Sequence, residues 1–123
     1  SRVSRGLGDV YKRQGLSMSG QFCITLTTTN NDETTQKIIN SVLKKELAAC
    51  IQTMPVNSHY IWEGEVCCDN ETLLIIKTKK ACYAELEQVI VSNHDYEVPQ
   101  VVQVPFTEGF NPYLAWIEEN TRC

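Results

Sequence analysis

The stretch that most constrains this chain is Ala48–Thr78, AACIQTMPVNSHYIWEGEVCCDNETLLIIKT. Two strand-like runs meet at Trp62-Glu63-Gly64-Glu65, and Asp69-Asn70 punctuates the second run. A half-exposed strand alternates apolar and polar residues, and Leu73-Leu74-Ile75-Ile76 does not. A strand apolar on both faces needs cover on both: helices on one side, with another subunit as the candidate for the other. The first run is far longer than an ordinary strand of about five or six residues. Pro55 and Asn57-Ser58 are therefore expected to kink or interrupt it. The pattern predicts a long, bent hairpin that reaches past its own domain.

The flanking segments supply the partners for that hairpin. Phe22-Cys23-Ile24-Thr25-Leu26-Thr27-Thr28-Thr29 reads as a first strand with Phe22, Ile24 and Leu26 on one face. Asn30, with Glu33 three residues later, fits a capping box for a helix carrying Ile38, Ile39, Val42, Leu43 and Leu47 at spacings of three and four. After the hairpin, Cys82, Leu86, Val89 and Ile90 mark a second helix, with Asn93 as a left-handed cap. Val98–Phe106 reads as a strand whose two prolines mark either an edge position or the limits of the strand. Asn111-Pro112 starts a short last helix buried through Tyr113, Leu114, Trp116 and Ile117. The order β-α-β-β-α-β-α is an α+β chain whose first six elements form the ferredoxin-like split βαβ arrangement. Helices then cover one sheet face and leave the other apolar and bare, which implies a homo-oligomer.

Length and composition exclude several classes. A chain of 123 residues is one domain, and 42% hydrophobic residues suffice for a core. A net charge of −4 argues against nucleic acid as a general partner. No apolar run approaches the roughly 20 residues of a membrane span. The six cysteines, at 23, 50, 67, 68, 82 and 123, include no Cys-x-x-Cys pair, so structural zinc is disfavoured. They read as small core residues kept reduced in a cytosol, with Cys123 an exposed terminal thiol. Residues 1–17, SRVSRGLGDVYKRQGLS, carry no strand or helix period. This basic, serine-containing start has the composition of a transit peptide but is short, and it reads better as a non-native, disordered tail before a domain at 18–123 that starts at Met18.

The candidates for chemistry are few. His94 stands beside Asp95 and Glu97 in a loop, and imidazole with carboxylates can hold a divalent metal or move protons. The competing reading is local hydrogen bonding in a turn. His59 reads as structural, because no second ligand is near it in sequence. Tyr60 and Trp62 share a strand face and read as packing or interface aromatics. Lys77 closes an apolar strand, and either snorkels to water or offers its ammonium to an anion. There is no Gly-x-Ser-x-Gly elbow and no glycine-rich phosphate loop.

Five motifs, in order, carry a resemblance. Leu47-Ala48-Ala49-Cys50-Ile51, Ser58-x-Tyr60-x-Trp62-Glu63-Gly64, Ile76-Lys77-Thr78, His94-x-Tyr96-Glu97-x-Pro99 and Tyr113-Leu114-x-Trp116 resemble CutA, the divalent-ion tolerance protein family, from about Phe22 to Arg122. The resemblance implies a stable trimer of ferredoxin-like subunits whose long hairpins pack on their neighbours. It also implies a link to copper and other divalent-metal tolerance, and a kinship of fold with P-II signalling proteins. Bacterial members bind copper through a Cys ending the first strand and two adjacent histidines. Here those positions read Thr27-Thr28-Thr29 and Asn93-His94. The resemblance therefore implies a cytoplasmic, non-enzymatic homotrimer with a ligand cleft at Trp62, Lys77, Tyr96 and Glu97, open to a small anionic ligand. It implies weak divalent-metal binding at His94, with Asp95 or Glu97 assisting, and no required cofactor. The alternatives are a P-II-like regulator that docks on a partner, or an enzyme using His94 as acid or base with Glu97 and Lys77 in reach.

Overall fold

Asn31, one residue later than the capping box suggests, opens the first helix: its side chain accepts a hydrogen bond from the Thr34 amide at 2.8 Å. The computed structural model describes residues 21–123. The expectations for residues 1–17 and for Met18 lie outside the described residues. The elements are β1 (Phe22–Thr29), α1 (Asp32–Lys44), β2 (Cys50–Trp62), β3 (Glu65–Lys79), a 3-10 turn (Lys80–Cys82), α2 (Tyr83–Asn93), β4 (Val102–Pro105) and α3 (Asn111–Glu119). One four-stranded sheet has the order β2-β3-β1-β4, every pair antiparallel. This is the expected ferredoxin-like α+β arrangement.

The hairpin is longer and more regular than its composition suggests. The β2–β3 register runs from Cys50↔Lys77 to Trp62↔Glu65 without a slip, so neither Pro55 nor Asn57-Ser58 interrupts β2, and Asp69-Asn70 does not break β3. The reason lies in strand order. β2 is an edge strand, where a missing amide on the free side removes no ladder bond. The turn is two residues, Glu63 (φ 50) and Gly64 (φ 81), the left-handed pair that matches the twist of a tight hairpin. The tip projects into solvent, with Ile61 74% and Val66 82% exposed.

The two sheet faces differ. α1 and α2 cover Leu74 and Ile76 with Ile38, Val42, Leu86 and Ile90, all of them fully buried. Leu47 joins this core through the end of α1. Its amide reaches Val42 O at 3.1 Å, while Glu46, at φ 55, donates to Leu43 O at 3.0 Å. That paired pattern is a Schellman motif with Glu46 where glycine is usual. Asn93 does not cap α2 in the left-handed region as expected. It is the last helical residue, and its side-chain Nδ2 donates to Val89 O. On the opposite face α3 packs Leu114, Ala115 and Ile117 around Phe22. Beyond α3 that face stays open: by register Leu26, Ile75 and Val102 align across it, as do Met54 and Leu73. Met54, Val102 and Val104 are 45–47% exposed there.

The cysteine expectation is corrected. Cys82 is fully buried, and it forms a disulfide with Cys123. Cys123 is thus neither exposed nor a free thiol. Arg122 holds the same tail, its amide on Glu46 O and its guanidinium on Lys45 O and the Glu85 carboxylate. Cys23, Cys50, Cys67 and Cys68 are free.

Candidate functional site

The outer half of the hairpin and the loop after α2 enclose a cleft of about 570 Å³. Strand periodicity builds one wall. Ser58, Tyr60 and Trp62 of β2 point the same way as Asp69 and Glu71 of β3, because partners in register share a face. That face is the open one, shared with Thr28 of β1. Tyr96 and Glu97 of the loop supply the other wall.

His94 anchors the loop from beneath. Its side chain is fully buried, its Nε2 lies 2.7 Å from Thr28 O, and its Nδ1 accepts from the Tyr96 amide at 3.2 Å. A neutral ring with the proton on Nε2 satisfies both contacts. Its centroid is 4.5 Å from the Tyr96 ring. Asp95, 3.5 Å from Nδ1, accepts from Asn31 Nδ2 at 2.8 Å. Both ring nitrogens are engaged, so within one chain the imidazole has no lone pair left for a metal. Among the described residues no group of three or more His, Cys, Asp or Glu side chains is placed to hold a metal ion. The donor set of a single subunit does not fit the divalent metal that the resemblance implies. The local-bonding reading of His94 describes the geometry better.

Two tyrosines order the acidic side of the cleft. Tyr60 donates its phenol to Asp69 Oδ2, and Tyr96 donates to Glu71 Oε2. The bond to Asp69, with some burial and the carboxylate charge, pushes the Tyr60 phenol up to about 12. Burial first, and then the bond to Glu71, pushes the Tyr96 phenol up as well. Both phenols therefore remain donors at neutral pH.

The expected ligand set is divided. Trp62, Tyr96 and Glu97 meet in the cleft, with His94 behind them. Lys77 lies six residues along β3 from Glu71, about 20 Å of strand. It donates to Gln52 Oε1 at 2.8 Å and stands 5.9 Å over the Tyr113 ring. An anion site built on Lys77, and an acid-base set of His94, Glu97 and Lys77, do not form within a subunit. Sequence reasoning missed Asp69 and Glu71 as lining residues and read Tyr60 as packing. Counting the register outward from Glu63-Gly64 would have put Asp69 and Glu71 on the face that Tyr60 and Trp62 share.

A ferredoxin-like α+β subunit with an open sheet face, an overlong hairpin and a cleft along the hairpin's outer half defines the class. The model of the family described as CutA1 divalent ion tolerance protein matches residues 23–120. The chloroplastic protein CutA of Arabidopsis thaliana is 40% identical over 120 residues, 97% of this chain and 66% of that protein. The divalent-cation tolerance protein CutA of Thermus thermophilus is 36% identical over 99 residues, 80% of this chain and 96% of that protein. The crystal structure of CutA1 from Oryza sativa superposes with a TM-score of 0.80 at 36% identity, covering 86% of this chain and 98% of that one. The chain belongs to the CutA1 divalent ion tolerance family. It spans 56–66% of the length of the two plant relatives.

The expected cytoplasmic location is overturned. The Arabidopsis and rice relatives are named chloroplastic, and the Archaeoglobus fulgidus structure is described as periplasmic. The disulfide Cys82–Cys123 is also uncharacteristic of a reducing cytosol. No helix among the described residues is long and apolar enough to cross a membrane.

Proposed function

We propose that this chain acts in divalent-cation tolerance as a non-enzymatic homotrimer that takes a small ligand in the cleft between hairpin and loop. The observation that carries this reading is the cleft itself. Its volume of about 570 Å³ falls in the range of about 300–1,000 Å³ usual for small-molecule sites. Its hairpin wall stands on the open sheet face, which also carries the exposed apolar positions Met54, Val102 and Val104. A neighbouring copy seated on those positions would border the cleft and cover the exposed apolar surface. The number three rests on the family resemblance.

The test is a thermal-shift panel of small molecules and divalent metals on the intact chain and on Trp62→Ala. A ligand held at about a hundred times its Kd stabilises by about 2.7 kcal/mol, a readily measured shift. At least one compound is expected to raise the melting temperature, and the rise is expected to vanish in Trp62→Ala. A panel with no stabiliser, or one whose effect survives loss of Trp62, overturns the reading.

A further inference from the structure

The cleft has a chemical signature beyond its size. Its lining includes three carboxylates, Asp69, Glu71 and Glu97, and among the described residues no lysine or arginine lines it. It also presents three aromatic rings, of Tyr60, Trp62 and Tyr96. Tyr60 and Trp62 lie on one strand face and are 39% and 41% exposed. The phenols of Tyr60 and Tyr96 tie down one oxygen each of Asp69 and Glu71, which orients both carboxylates and leaves Oδ1 and Oε1 to accept.

Two classes of charged ligand fit this badly. Within one chain an anion would meet three carboxylates and, among the described residues, no lysine or arginine. A bare metal ion needs several donors converging within about 2–2.6 Å of one point, and the carboxylates do not converge in that way. A larger cation with its charge spread over apolar groups needs no such convergence. Its charge is satisfied by carboxylates at several ångströms, and its alkyl surface by ring faces that attract it electrostatically.

Building on the reading of the cleft as a ligand site, we propose that its ligand is a small organic ammonium ion, held against Trp62 and Tyr60 and neutralised by Glu71, Asp69 and Glu97. Trp62 supplies the principal face, because indole is the strongest aromatic partner of a cation. The Tyr96–Glu71 hydrogen bond ties the loop to β3, so one residue both shapes the wall and fixes the counter-charge.

The test is calorimetric titration of the intact chain with choline chloride, with its uncharged tert-butyl isostere and with sodium acetate. Choline is expected to bind at least about tenfold more tightly than the isostere, and acetate not at all. Trp62→Ala and Glu71→Gln are each expected to weaken choline by about tenfold, and Trp62→Phe to recover most of the loss. Equal binding of the isostere, or tighter binding of acetate, with the same dependence on Trp62, overturns the charge claim and leaves the cleft a ligand site. Choline binding unchanged in Trp62→Ala overturns the location. Choline binding only to the dissociated chain would assign the cleft to a basic side chain of a second copy, and overturns the small-molecule claim. If choline fails while the thermal panel still yields a Trp62-dependent ligand, this inference falls alone; if the panel is also blank, both fall.

Discussion

Breaking the Cys82–Cys123 bond gives a perturbation whose size follows from the structure. The two cysteines are 41 residues apart in sequence. In the chain-entropy account, a cross-link closing a loop of that length removes unfolded-state entropy equivalent to about 4 kcal/mol at room temperature. The native tail has other holds. Arg122 stays on Glu46 O, Lys45 O and Glu85, and Lys79 donates to Cys123 O. The folded geometry should therefore survive reduction, and the loss should come from a freer unfolded chain. With a urea m-value of about 1–3 kcal/mol/M, the midpoint should fall by about 1.3–4 M. The assay is urea unfolding at fixed protein concentration, with and without reductant, alongside Cys123→Ser. Reductant and substitution should give the same midpoint. Denatured but unreduced protein should titrate four thiols, from Cys23, Cys50, Cys67 and Cys68. Six titratable thiols, or a midpoint indifferent to both treatments, would refute the pairing.

Three further outcomes follow from local geometry. Glu46 carries a left-handed φ of 55 at the end of α1, so Glu46→Gly should raise stability by about 1 kcal/mol; a loss in urea unfolding would mean that the Glu46 side chain makes a compensating contact. The Thr27 hydroxyl is fully buried with no hydrogen-bond partner among the described residues, so Thr27→Val should stabilise by about 1 kcal/mol, measurable by the same assay, and a destabilised variant would show that the hydroxyl is satisfied. The phenols of Tyr60 and Tyr96 are raised in the folded state. Their contribution is complete below the unfolded value of about 10; that of Tyr60 is lost as pH climbs through about 12, and that of Tyr96 at still higher pH. Stability should fall over that interval and fall less steeply in the double variant Tyr60→Phe/Tyr96→Phe; an unchanged slope would count against the two hydrogen bonds.

The hairpin and its bare face were legible because they break a simple rule. Leu73–Ile76 does not alternate, and the structure accounts for it: Leu74 and Ile76 lie under helices, while Leu73 and Ile75 sit on the open face. Pro55 misled because a proline's effect depends on strand order, which composition does not contain. Trp62, Tyr96 and Glu97 meet in one cleft, whereas within the subunit Lys77 stands apart from them, since a strand carries a residue about 3.3 Å farther away with every step. His94 was found for its ionisable ring, but burial against Thr28 O gives it a structural duty. The disulfide was beyond reach, because a pairing across 41 residues is set by how the tail after α3 returns to the start of α2.

Copies of the same chain are expected to cover the open sheet face. The most direct measurement is the solution mass of the intact chain by light scattering on an eluting column, repeated after dilution to micromolar concentration. The expected result is a single species near three times the 14.0 kDa chain, unchanged on dilution. A monodisperse 14.0 kDa species at micromolar concentration would contradict it, and would leave Met54, Val102 and Val104 exposed to water.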